Sequence, residues 1–302
     1  MSVVSDRYCD GINPNLVDLA EDHLYHLGLS TGTTDFKLVF GDVKFVCTAG
    51  SPNRIRKLAQ YLAQQSGTST ELRNLAEKGG RFVLFKVGPV LCADHGMGTP
   101  SLSILLHELF KLIRYAGCKD VTFFRLGTSG GIGVNPGTII VTSESLNTEL
   151  KPIYELRILG KLVARPTTSD PDLARELVKI TNEANICNAI LGKTVCANDF
   201  YEEQARLDGA FCSITAEDKF AYLRLAYEKG VRNFEMECTC FTSLCRLAGV
   251  RAAVVCVTLV NRLLSDQVRI SQEEYAHFQE LPGLVFAEYL KRHNTLASGP
   301  AH

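Results

Sequence analysis

Apolar residues along this chain come in short unbroken runs, separated by longer segments in which they recur every third or fourth position. The runs at 43–49 (VKFVCTA), 81–93, 120–126, 138–142, 189–197, 232–236 and 252–260, many rich in Val, Ile and Phe, predict strands. The segments at 51–65, 99–115, 171–185, 215–229, 237–248 and 272–292 carry the helical period. In 99–115, Leu102, Leu105, Leu106, Leu109 and Ile113 form one stripe, a face suited to packing on a sheet. Ser51-Pro52 and Thr99-Pro100 each place a capping residue before a proline at the first helical position. Thr215 to Asp218 is close to a capping box, and that helix stops at Gly230. Strands alternating with helices predict an α/β protein whose mixed or mostly parallel sheet carries helices on its faces. No repeat or low-complexity linker divides the 302 residues, so a single domain is expected, with disordered ends at about 1–12 and 295–302.

Composition narrows the function. Lys plus Arg is 32 against 33 for Asp plus Glu, so no global field holds nucleic acid or an anionic membrane, and any bound anion is gripped locally. Charged residues interrupt every apolar stretch before a membrane span is reached, and the start MSVVSDRYCD has no signal-peptide core. A cytoplasmic location is expected. Many of the eleven cysteines lie inside apolar runs, as Cys47, Cys92, Cys196 and Cys256 do, which fits buried reduced thiols. Cys238, Cys240 and Cys245 cluster without a CxxC pair or a nearby His-x-x-His, so no metal is expected.

Ligands of α/β sheets gather beyond the carboxyl ends of strands, and several strand ends here carry unusual residues. Strand 43–49 runs into Gly50-Ser51-Pro52-Asn53-Arg54, where glycine permits close backbone approach and a helix start offers free N–H groups. Strand 120–124 runs into Arg125 and then a turn containing Gly127, Thr128, Gly130, Gly131 and Gly133. Each resembles half of an anion cradle, although a tight turn with a snorkelling arginine has the same composition. GTSGGIG lacks the Lys-Ser/Thr of a phosphate loop, and no Gly-x-Gly-x-x-Gly opens a helix after the first strand, so the anion is expected as a substrate in its own right. In NDFYEEQARLDG, Phe200 offers an aromatic face, Gln204 an amide that donates and accepts, and Arg206 a fork of donors, a set that suits a pyrimidine imide and equally a solvated turn. Met236 and Glu237 in NFEMECT suit a ribose, the carboxylate accepting from its diol, while an acidic helix start reads the same way. His95 in ADHGMG is a candidate acid–base group or a hydrogen-bonded loop histidine.

Taken in order, FGDVKFVCTAGSPNR, DHGMGTPSLSILLHEL, RLGTSGGIG, DFYEEQARLDGA, NFEMEC and AAVVCVTLVNRL resemble the animal-type uridine phosphorylases of the nucleoside phosphorylase superfamily, over about residues 20–290. The resemblance implies a three-layer α/β/α sandwich around a mixed, partly barrel-like sheet. It also implies reversible phosphorolysis of uridine to uracil and ribose 1-phosphate, inorganic phosphate being co-substrate and no cofactor being needed. Gly50, Arg54, Arg125, Thr128 and, from a partner chain, Arg81 match the phosphate positions. Phe200, Gln204, Arg206 and Arg262 match the uracil site. Met236, Glu237 and the partner's His26 match the ribose site, beside His95, so the expected unit is a homodimer with shared sites. Arg125, Thr128, Gln204 and Arg206 are the expected catalytic set. Glu203 and Ala205 stand where the family often has glycines beside the glutamine, and Phe82 follows Arg81 where bacterial members have a cation-binding glutamate. These departures bear on affinity and on the use of deoxyuridine or thymidine. The competing readings are a purine-directed phosphorylase or nucleosidase, and a silent paralogue that binds nucleosides without cleaving them.

Overall fold

A computed structural model describes residues 13–17 and 19–295, so the termini expected to be disordered lie outside the described residues, apart from Thr295. The chain divides into two compact units. One holds the described residues up to Phe124, with Leu244–Ala252 and the stretch from Leu290; the other holds Arg125–Ser243 and Ala253–Tyr289.

The first unit begins with a small antiparallel pair, β1 (His23–Leu24) and β2 (Leu29–Ser30), and a short helix α1 (Phe36–Phe40). Strand β3 (Phe45–Ala49) leads into helix α2 (Pro52–Gln65), capped by the Ser51 hydroxyl. The run expected as one strand over 81–93 is a hairpin, β4 (Leu84–Val87) and β5 (Val90–Asp94), because Gly88-Pro89 turns the chain between them. Strand β3 pairs in parallel with β5, placing Ala49 opposite Asp94. Helix α3 (Thr99–Tyr115) follows, its N-cap being Gly98 rather than the expected Thr99. The expected stripe of α3 is buried, as are Ile55, Leu58 and Leu62 of α2.

Strand β6 (Thr122–Gly131) crosses from the first unit into the second. It is followed by β7 (Ile139–Leu146), the hairpin β8 (Ile153–Ile158) and β9 (Lys161–Pro166), α4 (Pro171–Glu183), β10 (Ala189–Cys196), α5 (Ala216–Glu228), β11 (Val231–Glu235), α6 (Cys238–Leu247), β12 (Arg251–Asn261) and α7 (Gln272–Arg292). Strands β7, β10 and β11 are mutually parallel, and β12 is antiparallel to β7. In the order β11-β10-β7-β12-β6 the sheet closes, because β6 also pairs with β11, Gly130 opposite Phe234 and Gly131 opposite Asn233.

That closure corrects one expectation. The glycines after Arg125 are not a turn: Gly127, Gly130 and Gly131 are inside β6. A Cβ on Gly131 would stand 2.7 Å from Val134 Cγ2 and 3.0 Å from Thr258 Cγ2, and one on Gly130 would stand 3.0 Å from Arg262 Cγ. Bare backbone is what lets the strand bend against its neighbours. The hairpin β8–β9 is absent from the sequence reading: Tyr154, Leu156 and Ile158 alternate with Glu155 and Arg157, but every residue of the hairpin is exposed or half-buried and no dense apolar run marks it.

Candidate active site

In the first unit the parallel pairing of β3 and β5 sets the turns that follow them side by side. A Cβ on Gly50 would lie 2.7 Å from the Gly96 carbonyl oxygen, so the backbones approach as closely as glycine permits. The same point is 3.6 Å from both Arg54 Nη2 and His95 Cε1, so Gly50, Arg54 and His95 converge. The His95 N–H donates to the Ala49 carbonyl at 2.9 Å and the ring is buried. Arg54 enters the first turn of α2, its N–H donating to the Ser51 hydroxyl at 3.5 Å.

Arg81 and His26 occupy neighbouring segments of this unit. Arg81 is exposed, and the ring of Phe82 is 6.2 Å from that of His26. Asp94 accepts the Val83 N–H at 2.5 Å and steadies the chain just after Arg81, while burial raises its carboxyl above the usual range. Glu108 of α3 accepts the N–H groups of His26 and Leu27, at 3.0 and 2.9 Å, and meets His26 Nδ1 at 2.7 Å. The imidazole is thereby fixed while its side chain stays 40% exposed.

The second unit assembles the remaining candidates. Arg125 is 3% exposed and lies between two carboxylates, Nη1 being 2.7 Å from Glu235 Oε2 and Nη2 bonding to Glu237. Burial opposes its charge, but Glu235 and then Glu237 more than reverse that effect and hold the guanidinium protonated. Nη1 also approaches Cys256 Sγ at 3.4 Å, a thiol that burial pushes up to about 12. Glu235 ends β11 and accepts the N–H groups of Glu237 and Cys238, at 3.0 and 2.8 Å, so it orders the turn that carries Met236 and Glu237 into α6. Thr128 is half-buried on β6, two positions before Gly130, against which the stem of Arg262 lies.

The segment after β10 carries the candidate base-reading groups. Gln204 is 3% exposed, and Arg262, wholly buried, donates from Nη2 to its backbone carbonyl at 2.7 Å and from Nη1 to its Oε1 at 3.5 Å. Arg206 is gripped by Asp208 through two bonds, Nε to Oδ1 at 2.8 Å and Nη2 to Oδ2 at 2.7 Å, while Nη2 also donates to the Asp266 carbonyl at 2.9 Å. Its guanidinium carbon stands 4.5 Å from the Phe200 ring centre, so the aromatic face expected for the base is stacked on Arg206. Ala205 holds φ +51°, the left-handed region.

Residues 44–297 match the family model described as the phosphorylase superfamily. The chain belongs to that superfamily. It is 51% identical to uridine phosphorylase A of Schistosoma mansoni, over 94% of this chain and 96% of that protein. It is 49% identical, over the same shares, to inactive uridine phosphorylase B of Schistosoma mansoni. The crystal structure of the Schistosoma mansoni uridine phosphorylase in complex with thymidine superposes with a TM-score of 0.92 at 51% identity, covering 94% of this chain and 98% of that one. The fold is therefore that of the nucleoside phosphorylases, and within the superfamily the chain groups with the uridine phosphorylases.

Four residues of this site escaped the sequence reading: Glu235, Asp208, Asp266 and Lys219. Asp208 stands two positions beyond Arg206 and Asp266 four beyond Arg262, spacings that signal pairing once the backbone is known to turn or coil there. Among the described residues, Cys196, Glu235 and Cys238 bring three possible metal-ligand atoms within 4.8 Å of one another. Glu235 already accepts Arg125 and two backbone N–H groups, and that guanidinium supplies the positive charge a metal would bring. No helix among the described residues is long and apolar enough to cross a membrane.

Proposed function

We propose that this chain catalyses the reversible phosphorolysis of uridine, with inorganic phosphate as co-substrate, giving uracil and ribose 1-phosphate. The observation that carries the reading is one unit holding the buried Gln204 and Arg262 and the half-buried Arg206 together with the Arg125–Glu237 pair. One relative is an inactive uridine phosphorylase, so activity has to be assayed for this chain itself.

Each group has a chemical task. Arg262 donates to Gln204 Oε1 and so orients the amide, leaving Nε2 to donate to a uracil carbonyl and the second Oε1 lone pair to accept N3–H. Arg206 donates to the carbonyl on which negative charge grows as the C1′–N1 bond breaks. Met236 covers the apolar face of the sugar, and Phe200 backs Arg206 at the base end of the site. Glu237 and His95, with the partner's His26, serve the ribose hydroxyls. Gly50 N–H, Arg54, Arg125, Thr128 and the partner's Arg81 hold phosphate for attack at C1′, and no covalent enzyme intermediate or cofactor is needed. The working unit is a homodimer; the adjacency of His26 and the Arg81 segment on one surface supports both being delivered to a partner together. Deoxyuridine and thymidine are secondary substrates, in keeping with the thymidine complex of the Schistosoma mansoni relative. The enzyme is cytoplasmic, a setting that suits the ten free cysteines among the described residues.

Uracil release from uridine tests this directly. Release is expected only with phosphate present, inosine is expected to remain intact, and Gln204→Leu is expected to fold but to lose on the order of 10⁴-fold in kcat/KM. Release without phosphate would mark a nucleosidase, and no release a silent binder.

A further inference from the structure

Lys219 is placed where a cation is disfavoured twice. It lies in the first turn of α5, where the helix dipole repels positive charge, and it is 3% exposed. An apolar side chain could fill the same volume. Its ammonium instead meets Asp266 Oδ1 at 2.7 Å. The same oxygen accepts Arg262 Nε at 2.8 Å, Oδ2 accepts the Leu207 N–H at 3.0 Å, and the Asp266 carbonyl accepts Arg206 Nη2 at 2.9 Å. One residue thus holds both arginines of the base site and the backbone between Arg206 and Asp208.

Asp208 and the Asp266 carbonyl use Nε and both Nη2 hydrogens of Arg206, so Nη1 is the edge left to face a base. Arg206, Arg262 and Lys219 face Asp208 and Asp266, three cations against two carboxylates, which leaves one net positive charge. Glu203 is outside this set, its carboxylate accepting the Asn198 N–H at 2.6 Å. If an apolar group replaced Lys219, Asp266 would cancel that surplus.

We propose that Asp266 and Lys219 are positioning residues for the base site: Asp266 aligns Arg206 and Arg262, and Lys219 offsets the Asp266 charge so that the cluster stays net positive toward the departing uracil anion. This rests on the base site assigned under Proposed function.

The test uses leaving groups of different acidity. A fluorine at C5 withdraws electrons and stabilises the departing anion, so 5-fluorouridine needs less help from the protein than uridine. Single-turnover rates with saturating phosphate would be measured for both substrates. Lys219→Gln makes the cluster neutral; uridine is expected to slow about tenfold, the effect of one unit charge acting across roughly 10 Å, and 5-fluorouridine to slow less, so their rate ratio rises. Lys219→Arg is expected to restore the wild-type ratio. The double variant Lys219→Gln/Asp266→Asn, which keeps the wild-type net charge, is expected to restore the ratio even though its rates stay low from lost alignment. Should Lys219→Gln fail to fold, Asp266→Asn alone carries the test in the opposite direction, with a ratio below wild type. An unchanged ratio in Lys219→Gln or in Asp266→Asn, whatever the rates, would overturn the proposal, since a merely structural lesion slows both substrates equally. A wild-type protein that releases no uracil would instead overturn the function itself.

Discussion

Ala205 occupies left-handed backbone, φ +51°. A Cβ in that region costs about 1 kcal/mol, because it crowds the following carbonyl. Ala205→Gly is therefore expected to stabilise the fold by about 1 kcal/mol, measured by denaturant midpoint, and to speed amide exchange across 203–206. A fall in stability would mean that the buried methyl outweighs the backbone strain. Its neighbour Glu203 turns its carboxylate to the Asn198 N–H, so the charge braces the segment instead of facing the base. At this scale the sequence was informative about donors and acceptors. Gln204, Arg206 and Glu237 could be picked out by chemical type, but Asp208, Asp266 and Lys219 could not, because a charged residue on a loop or helix start ordinarily faces water.

Among the elements, β6 departs furthest from what its composition suggests. Four glycines within 127–133 looked like a turn, yet three of them continue the strand and let it reach β11. Substituting Gly131→Val keeps strand propensity but drives a side chain into Val134 and Thr258; the cost is expected to be roughly 2 kcal/mol or more. Thermal melting checks this, and an unchanged midpoint would show that closure does not depend on the bare backbone. The local signals read correctly were those set within a few residues: the Ser51 cap of α2, the capping box of Thr215 with Asp218, and the apolar stripe of α3. Two elements were misread for physical reasons. Gly88-Pro89 split an apolar run into a hairpin, and β8–β9, with no fully buried position, carried only the short alternation of Tyr154, Leu156 and Ile158, a weak signal beside the apolar runs of the core strands.

For the whole molecule, the proposed dimer makes a prediction that no single chain can mimic. Arg81→Ala and Gln204→Leu each remove a group from the site, but the proposal assigns Arg81 to the partner and Gln204 to the host. When the two inactive variants are unfolded together and refolded, half the dimers are mixed and each mixed dimer rebuilds one intact site. Activity is then expected to recover to about a quarter of wild type. No recovery would place both residues in the same chain's site. The acidic and basic totals, nearly equal, gave no hint of this organisation, since the charges that matter are held in buried groups such as Arg125 with Glu235 and Glu237.

Periodicity, caps and residue chemistry act over a few positions, so the alternation of strands and helices, and the presence of groups suited to phosphate, a pyrimidine and a ribose, could be read from the sequence alone. Sheet closure through β6 and β11, and the pairing of Arg125 with a carboxylate 112 residues away, could not. Those depend on which distant segments share a buried volume, where desolvation makes every unpaired charge costly and so dictates its partner. Only the tertiary structure decides that.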